Sequence, residues 1–309
     1  MSWWILGGAL VAGFAISSIS VSLSIKLAHR FDFLDYPDAG RKTQERPIPK
    51  LGGLAVAAAF SIVAVLAVLV LESPGEVQLA LNALVPALLA GLIGYVDDRN
   101  HLNPYLRLGL QALTGTVVWW LGSQVAIFGI DWLNAVVVVV FVMVLINGLN
   151  LLDNSDGLAG SAVLVSGLGA SIIAIISGQE LVSALGFALV GVSLGFLRYN
   201  WFPARVYLGD SGAYFLATLL AVLIIRMRPE SVDPWIGIGI ALLLIVLPLT
   251  DTTYVIFKRL RAGIHPFTAG RDHLSHRIQS SGKKVPTSVF ALQALSLVGM
   301  AGAVALSLI

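Results

Sequence analysis

Four acidic motifs stand at the ends of long apolar runs in this chain of 309 residues, of which only 12% are charged. The motifs are Asp97-Asp98, Asp153 with Asp156, Asp210, and Asp251. An ionised carboxylate near lipid is unfavourable unless a partner or a polar cavity compensates it. If each apolar run crosses a bilayer once, all four motifs fall at or near one membrane face. The pattern therefore predicts one metal-dependent site assembled from distant segments.

The first motif, in the string GYVDDRN, is the adjacent pair Asp97 and Asp98. Neighbouring carboxylates repel each other, and each raises the proton affinity of the other unless a cation lies between them. Two aspartates at the C-terminal end of a helix also oppose the helix dipole. The structural alternative is a polar helix end with a salt bridge to Arg99. The unfavourable placement favours a bound cation.

The second motif, NGLNLLDNSDGLAGS, places Asn150, Asp153 and Asp156 at intervals of three residues. On a helix this spacing keeps the side chains on roughly one face. In a loop it offers several oxygens to a hard cation or to ribose hydroxyls. The string contains no lysine or arginine, so the carboxylates have no basic partner within it. The alternative is a turn with only a structural role.

The third motif, RYNWFPARVYLGDSGAYF, contains Asn200, Tyr207 and Asp210 just before an apolar run. The glycines around Asp210 allow the backbone to approach a phosphate or a metal closely. The free amides and the dipole at a helix N-terminus also favour anions. Asp210 acting as a simple N-cap is the alternative. The string therefore indicates a phosphate or metal position at the start of a helix.

The fourth polar segment ends in HPFTAGRDHLSHRI. His273 and His276 have a spacing that can ligate a metal, but Arg271 and Arg277 beside them form a cationic cluster better suited to a diphosphate. A loop held in the cytoplasm by its positive charge, with incidental histidines, is the alternative. Asp251, in PLTDTTY, lies within or near the end of an apolar run, where an ionised group costs about 2.5 to 3.5 kcal/mol. We therefore expect Asp251 to be paired or to face a polar cavity.

The elements that must position these residues are membrane helices. Hydrophobic residues make up 57% of the chain, and the mean hydropathy is +0.89. This composition is typical of an all-α polytopic membrane protein, and we interpret residues 1–309 as one domain. Ten spans are predicted, at residues 3–29, 51–71, 79–96, 105–122, 133–149, 159–177, 180–198, 211–226, 235–257 and 286–308.

The basic residues predict how these spans are oriented. When the chain is threaded alternately through ten spans, all of its 19 lysines and arginines except Arg226 and Arg228 fall on one side. Lysines and arginines in the loops of membrane proteins remain on the cytoplasmic side. We therefore expect both termini outside the cytoplasm and the acidic motifs facing it. We expect the protein to be a multi-pass protein of the cell inner (plasma) membrane. The chain has no cysteine, which excludes disulfides and thiolate chemistry. Nothing in the sequence supports nucleic-acid binding.

Taken in order, these strings resemble the polyprenyl-phosphate N-acetylhexosamine-1-phosphate transferases, the family of MraY and WecA. The likeness runs from DYPDAGRKTQERPIPKLGG to the histidine loop and so covers nearly the whole chain. It implies a ten-span fold with an active site at the cytoplasmic face. It also implies transfer of a sugar 1-phosphate from a UDP-sugar to polyprenyl phosphate, with release of UMP and with Mg²⁺ as cofactor, for which Mn²⁺ substitutes.

The resemblance also assigns roles to residues at the metal. Asp210 would ligate Mg²⁺, with Asn150 as a further contact to the metal. Asp97 and Asp98 would lie beside the metal and the acceptor phosphate, and Asp97 is the better candidate to deprotonate or orient that phosphate. Asp153 and Asp156 complete the predicted catalytic carboxylates.

The donor substrate would be held by a second group of residues. Asn150 would line the nucleotide-sugar pocket, Tyr207 would stack on uracil, and Asn200 would contact uracil. Arg271 and His276 would bind the diphosphate together with His273, which is also counted among the catalytic residues.

The chain departs from the family pattern at two positions, because Asn154 replaces a frequent glycine and Ser275 replaces a frequent histidine. Pro266-Phe267 and Arg271 resemble the WecA and TagO branch of the family. This resemblance favours transfer of GlcNAc-1-phosphate to undecaprenyl phosphate, which would start a cell-envelope polysaccharide such as lipopolysaccharide or teichoic acid.

Two alternatives stay open, a phospho-MurNAc-pentapeptide transferase and, from another class, a secondary transporter, although transporters place polar groups near the midplane. An aspartyl protease of the membrane would typically have glycine at Tyr207. Whether the chain forms a homodimer is open.

Overall fold

The computed structural model describes residues 3–37, 44, 46–71, 74–227, 232–268 and 270–309. Three residues of the predicted charge asymmetry, Arg41, Lys42 and Arg228, lie outside them. The helices are α1 (Trp3–Arg30), α2 (Gly52–Leu71), α3 (Pro74–Asn100), α4 (Pro104–Trp120), α5 (Asp131–Leu152), α6 (Leu158–Ile176), α7 (Glu180–Asn200), α8 (Gly209–Arg226), α9 (Pro234–Leu244), α10 (Val246–Arg261), α11 (Leu274–Ser280) and α12 (Val285–Leu306). A short hairpin pairs β1 (Leu34–Asp35) with β2 (Ile48–Pro49), antiparallel.

Eight helices among the described residues are long and apolar enough to cross a membrane, namely α1, α2, α3, α5, α6, α7, α8 and α12. The pair α9 and α10 makes a ninth candidate if it counts as one span. Helix α4, with 17 residues, coincides with the predicted span 105–122 and is near the shortest length for a crossing. The predicted class, an all-α multi-pass membrane protein, is confirmed, while the count of ten and the side of the termini stay predictions.

The predicted continuous span 235–257 differs from the structure, because the chain bends by 76° between α9 and α10. Pro248 explains the break, since proline has no N–H to donate and its ring clashes with the carbonyl four residues earlier, here that of Leu244. The buried Ser166 hydroxyl donates a hydrogen bond to the Leu244 carbonyl oxygen at 2.6 Å. A backbone group freed inside a membrane needs such a partner. The bend is therefore a stabilised feature of the span.

Local signals start two of the helices at the predicted places. Asn103 and Asp233 each accept a hydrogen bond from the backbone two residues on, and each is followed by a proline at the first helical position. Side-chain caps satisfy free amides, and proline is well suited to a first turn. The sequence therefore determines where helices α4 and α9 begin.

Helix α8 lies at the centre of the molecule, with every residue from Ser211 to Ile224 buried. Glycines on its neighbours allow close approach: a Cβ at Gly94 of α3 would overlap the carbonyl oxygen of Asp210, and one at Gly53 of α2 would overlap the backbone of Gly212. Small residues permit this packing between membrane helices. The result is that the first turn of α8 lies directly beside the last turns of α3.

Candidate active site

A cavity of about 920 Å³ opens at the end of the molecule where α3, α5 and α10 finish and α8 begins. The hairpin, the loop between α5 and α6, the loop before α8 and the loop before α11 also line it. The structure brings ten of the predicted site residues to this cavity. They are Asp98, Asn150, Asp153, Asp156, Asn200, Tyr207, Asp210, Arg271, His273 and His276.

The first turn of α8 gathers three carboxylates. Gly209 has φ +68°, and a Cβ there would lie 2.9 Å from an Asp98 carboxylate oxygen, so glycine suits this close turn. The Ser211 amide donates to Asp98 Oδ2 at 3.1 Å, and the Gly209 amide donates to Asp153 Oδ2 at 3.2 Å. Asp210 belongs to the same turn. These contacts use the free amides and the positive end of the helix dipole to hold acidic groups together.

Asn150 connects α5 to this turn. Its Nδ2 donates to Asp210 Oδ1, which joins the last turn of α5 to the first turn of α8. Burial raises the pKa of Asp153 well above its usual value, and the carboxylates of Asp210, Asp98 and Asp156 raise it further, while only the Gly209 amide is a counteracting contact. A group of carboxylates in such surroundings is suited to binding a cation.

The oxygen-rich wall fits a hard cation better than a soft one. Carboxylates and amide oxygens are the ligands that Mg²⁺ prefers, whereas thiolates and imidazoles suit other metals. Among the described residues, no three His, Cys, Asp or Glu side chains are arranged as a ready metal cage. Mg²⁺ usually takes one or two protein carboxylates, with water and substrate phosphates completing its shell. The residues present therefore fit a magnesium ion that a phosphate substrate completes.

Asp97 has different surroundings from its neighbour Asp98 and does not belong to the cavity lining. Its carboxylate is 3% exposed and accepts from the Tyr214 hydroxyl at 2.9 Å and from the Leu102 amide at 3.0 Å. Arg107 Nη1 lies 3.5 Å away. These contacts tie the end of α3 to α4 and α8. The predicted role of Asp97 at the acceptor phosphate stays a prediction, whereas Asp98 has the place in the cavity.

Asp156 and Asn200 hold two loops against each other. Asp156 Oδ2 accepts from the Ala204 amide at 2.9 Å. Asn200 Oδ1 accepts from the Gly157 amide at 3.0 Å, and Asn200 Nδ2 donates to the Val206 carbonyl at 2.9 Å. Burial raises the pKa of Asp156, and the Ala204 contact opposes that rise. Asn200 is 2% exposed and uses both ends of its amide on backbone, so its main structural effect is to shape the pocket around Tyr207.

The hairpin forms a wall of the cavity that the motif analysis missed. The Tyr207 hydroxyl donates to Gln44 Oε1 at 3.0 Å, and Gln44 Nε2 donates to Asp35 Oδ2 at 2.6 Å. Lys50 Nζ lies 3.1 Å from the other Asp35 oxygen and also lines the cavity. Burial and nearby carboxylates raise the pKa of Tyr207, so its hydroxyl stays neutral and can donate. From the sequence, Lys50 counted only among the basic residues that predict the orientation in the membrane, although it lies within the string DYPDAGRKTQERPIPKLGG.

The loop before α11 is held over the cavity by Arg259. The buried guanidinium donates to both Asp272 oxygens, at 2.8 and 2.7 Å, and to the Pro266 carbonyl at 2.6 Å. These hydrogen bonds lower the pKa of Asp272. Paired N–H groups of an arginine match a carboxylate with specific geometry. Sequence reasoning missed Arg259 as a loop anchor, because its basic side chain looked like one of several at the C-terminal end of α10.

The two predicted histidines lie side by side at the cavity, with ring centres 5.8 Å apart. His273 Nδ1 is 2.7 Å from Asp251 Oδ2, so Asp251 is paired, as expected for an ionisable group in a span. Burial lowers the pKa of His276, and His273 and Arg271 lower it further. His276 Nδ1 is buried and has no hydrogen-bond partner within the described part of the chain. Arg271 is exposed and lines the cavity, so the loop contributes a cationic side chain to it.

The two departures from the family pattern contact each other. Ser275 Oγ donates to Asn154 Oδ1 at 2.5 Å, across 121 residues of sequence. Asn154 Nδ2 in turn donates to the Leu151 carbonyl. The pair therefore links the loop after α5 to the start of α11, close to both carboxylates and histidines.

An apolar groove of about 370 Å³ adjoins the cavity between α5 and the bent pair α9 and α10. Val140, Val144 and Leu249 line both spaces. The groove continues to residues near the opposite ends of these helices, including Val125, Met227 and Pro234. The polar cavity and the apolar groove are thus adjacent and share three lining residues.

Comparison with known proteins agrees with this geometry. A family model described as glycosyl transferase family 4 matches residues 80–228. The chain is 25% identical over 312 residues to a Bacillus subtilis (strain 168) protein named "Probable undecaprenyl-phosphate N-acetylglucosaminyl 1-phosphate transferase", covering 96% of this chain and 85% of that one. It is 25% identical over 288 residues to the undecaprenyl-phosphate alpha-N-acetylglucosaminyl 1-phosphate transferase of Escherichia coli (strain K12), covering 88% and 76%.

A second group of relatives matches a shorter part of the chain. The phospho-N-acetylmuramoyl-pentapeptide-transferase of Streptococcus pneumoniae (strain Taiwan19F-14) is 31% identical over 207 residues, which is 62% of this chain and 63% of that protein. The residues that the family model matches include Asp98, Asn150, Asp153 and Asp210 of the cavity. The family model and both groups of relatives support the polyprenyl-phosphate N-acetylhexosamine-1-phosphate transferases as the family of this chain.

Proposed function

We propose that this protein transfers N-acetylglucosamine 1-phosphate from UDP-GlcNAc to undecaprenyl phosphate, releases UMP, and so starts a cell-envelope polysaccharide. The observation that carries the proposal is that a cavity lined by carboxylates and cationic side chains adjoins an apolar groove among membrane helices. A nucleotide-sugar needs the first environment and a polyprenyl tail needs the second. Few other pairs of substrates need both at one place.

The extent of the matches favours GlcNAc as the transferred sugar. Relatives named for N-acetylglucosaminyl 1-phosphate transfer align with 96% and 88% of the chain, whereas the pentapeptide transferase aligns with 62%. The higher identity of the pentapeptide transferase, 31%, keeps that activity as the second candidate.

The chemistry is a direct displacement at phosphorus. An oxygen of the lipid phosphate attacks the β-phosphorus of the donor, the bond from that phosphorus to the bridging oxygen breaks, and UMP leaves with the bridging oxygen. Asp98 lies in the cavity beside the α8 amides, and Arg271 and His273 line the same cavity with cationic or hydrogen-bonding groups. Fixed charges around a reacting phosphate stabilise its transition state and hold the reacting atoms in line.

We further propose that Asp210 and Asn150 hold Mg²⁺ here, with Asp98 and Asp153 nearby. When bound, the ion would neutralise charge on the donor diphosphate. Asn150 donates its Nδ2 to Asp210, which leaves its Oδ1 as the oxygen available for the ion. Asp210→Ala should lower turnover about 100- to 1000-fold, the loss typical when one preorganised electrostatic group is removed, while the protein remains folded in the membrane. Normal turnover in that variant would remove Asp210 from the metal site.

The proposed orientation places the cavity at the cytoplasmic side of the inner (plasma) membrane, with both termini on the other side. The lysines and arginines of the described loops support it, since Lys50, Arg107, Arg259 and Arg271 lie at the cavity end while Arg226 lies at the opposite end of α8. UDP-sugars would then reach the site from the cytoplasm.

The proposal is tested by UMP release from purified protein given undecaprenyl phosphate and Mg²⁺ with UDP-GlcNAc, UDP-GalNAc or UDP-MurNAc-pentapeptide in separate reactions. We expect UMP from UDP-GlcNAc alone, and none after EDTA. Release only from the pentapeptide donor would establish the second candidate. No release from any donor would reject the transfer.

Direct displacement has its own test, because a covalent phospho-aspartate would also give UMP. Labelled UDP-GlcNAc is incubated with the protein and Mg²⁺ without the lipid acceptor, and the protein is then denatured and separated. We expect no label on the protein. A labelled phospho-enzyme that the lipid later discharges would overturn the direct route.

A further inference from the structure

A buried carboxylate on α10, Asp251, has no part in the chemistry proposed above. It is 1% exposed and uses both oxygens: Oδ1 accepts from the Leu274 amide at 2.8 Å, and Oδ2 lies 2.7 Å from His273 Nδ1. An ionisable residue inside a span calls for a partner and for a function. Both partners of Asp251 lie at the point where the cationic loop enters α11. The bent membrane helix is therefore connected directly to a histidine at the cavity.

These contacts determine which nitrogen of His273 faces a ligand. An ionised carboxylate only accepts hydrogen bonds, so the ring nitrogen against Oδ2 must carry a proton. The His273 side chain is 5% exposed and lines the cavity. Since Nδ1 is occupied by Asp251, Nε2 is the nitrogen left for a group inside the cavity. The hydrogen bond at one ring nitrogen sets the protonation of the other.

We propose that Asp251 is a positioning residue that fixes His273 through its Nδ1–H and stabilises the ring protonated at both nitrogens, so that Nε2–H donates to the diphosphate of the nucleotide-sugar. This inference rests on the proposed function. The carboxylate also gives a positively charged ring a partner at a buried place, where an unpaired charge would be strongly destabilising. Asp251 thus acts on the donor through His273 and does not touch the donor itself.

A simpler role for Asp251 is to anchor the loop. The variant Asp251→Asn separates the two roles, because it keeps the shape and both contacts of the side chain. Its amide oxygen accepts from the Leu274 amide, and its amide nitrogen donates to His273 Nδ1. The ring must then accept at Nδ1 and carry its proton on Nε2. The loop stays anchored, but the ring loses its Nδ1 proton and its positive charge.

The first measurement is the protonation of the His273 ring by nitrogen NMR of protein labelled with ¹⁵N-histidine. The chain has five histidines, and the His273 signals are those lost in His273→Gln. We expect protons on both ring nitrogens in the unaltered protein and a neutral ring protonated only on Nε2 in Asp251→Asn. An unaltered protein whose His273 ring lacks a proton on either nitrogen would overturn the proposal, and this measurement does not require any Asp251 variant to fold.

The second measurement is the kinetics of UMP release. We expect kcat of Asp251→Asn to fall about 10- to 100-fold, as is typical when a group that orients a functional histidine is removed, with KM for UDP-GlcNAc within about twofold. An unchanged kcat in a variant with the neutral ring would overturn the proposal while leaving the transfer reaction intact. No UMP from the unaltered protein would instead reject the proposed function.

Asp272→Asn is the matched control for loop anchoring. Asp272 neighbours His273 in sequence and ties the same loop to Arg259, so its loss loosens the loop without touching the Asp251 contact. We expect the His273 ring to keep its proton on Nδ1 in this variant. If Asp272→Asn gives the same neutral ring and the same fall in kcat, loop anchoring suffices and the positioning role is wrong.

Discussion

Asp97 and Asp98 are adjacent residues of one type whose surroundings give them different tasks. Asp98 lies in the cavity and accepts from the first turn of α8, whereas Asp97 is enclosed by Tyr214, Leu102 and Arg107. A carboxylate in the cavity contributes to binding and catalysis, whereas one that satisfies buried donors contributes to stability. The pair is therefore a natural comparison for mutation.

We expect Asp98→Asn to lower kcat about 100- to 1000-fold with little change in stability. Asp97→Asn should lower the free energy of unfolding by about 1 to 3 kcal/mol, because it weakens hydrogen bonds to a buried charged group, and should affect kcat less. UMP release and unfolding in detergent solution measure the two effects. Lost turnover at unchanged stability in Asp97→Asn would instead support the predicted role of Asp97 at the acceptor phosphate.

The contact of Asn154 with Ser275 gives a second prediction at the scale of residues. Asn154→Gly and Ser275→Ala each remove the hydrogen bond, so the double variant should be less destabilised than the sum of the single ones. We expect a coupling energy of about 0.5 to 1.5 kcal/mol, measured as free energies of unfolding in a double-mutant cycle. Strictly additive effects would show that the two loops are held together by other contacts.

At the scale of elements, the bend between α9 and α10 decides the shape of the groove. Pro248 removes the hydrogen bond to the Leu244 carbonyl, and Ser166 on α6 replaces it. The hydroxyl therefore stabilises the bent conformation through a backbone group that would otherwise be buried without a partner. Helix α10 can then diverge from α9 and leave the groove beside α5 open.

Ser166→Ala should consequently destabilise the protein by about 1 to 3 kcal/mol, because it leaves the Leu244 carbonyl without a donor. In a Pro248→Ala background the new backbone N–H can bond to that carbonyl, so the same serine substitution should cost much less. Unfolding of the four variants in detergent measures this difference. An equal cost of Ser166→Ala in both backgrounds would mean that the serine does not compensate for the proline.

The sequence predicted most of these elements, because each apolar run is long enough to identify a span. It did not predict the break at Ile245, because hydropathy is uninterrupted there and the decisive feature was the single residue Pro248. It placed the carboxylates of three motifs correctly at or just beyond helix ends, whereas Asp251 lies inside α10. It could not predict that Asp97 turns toward Tyr214, since that contact joins residues 117 positions apart. Gln44 and Lys50 were missed because their position at the cavity depends on the hairpin.

At the scale of the whole molecule, the absence of cysteine makes the orientation directly testable. Gln124, between α4 and α5, and Ser281, between α11 and α12, are both exposed and lie in loops predicted to be on opposite sides of the membrane. We expect a membrane-impermeant maleimide to label Gln124→Cys in intact cells and to label Ser281→Cys only after the cells are opened. The reverse pattern would invert the topology, and labelling of both from outside would contradict the number of spans.

The polar cavity and the apolar groove are neighbours that share Val140, Val144 and Leu249, and this arrangement has a kinetic consequence. The proposed donor arrives from water and the proposed acceptor arrives sideways within the bilayer, so neither has to pass through the other's entrance. Binding in random order follows, with both substrates present together before reaction. UMP should then inhibit competitively against UDP-GlcNAc but not against the lipid, and the lipid product should leave by lateral diffusion, already positioned in the leaflet where the next enzyme can reach it.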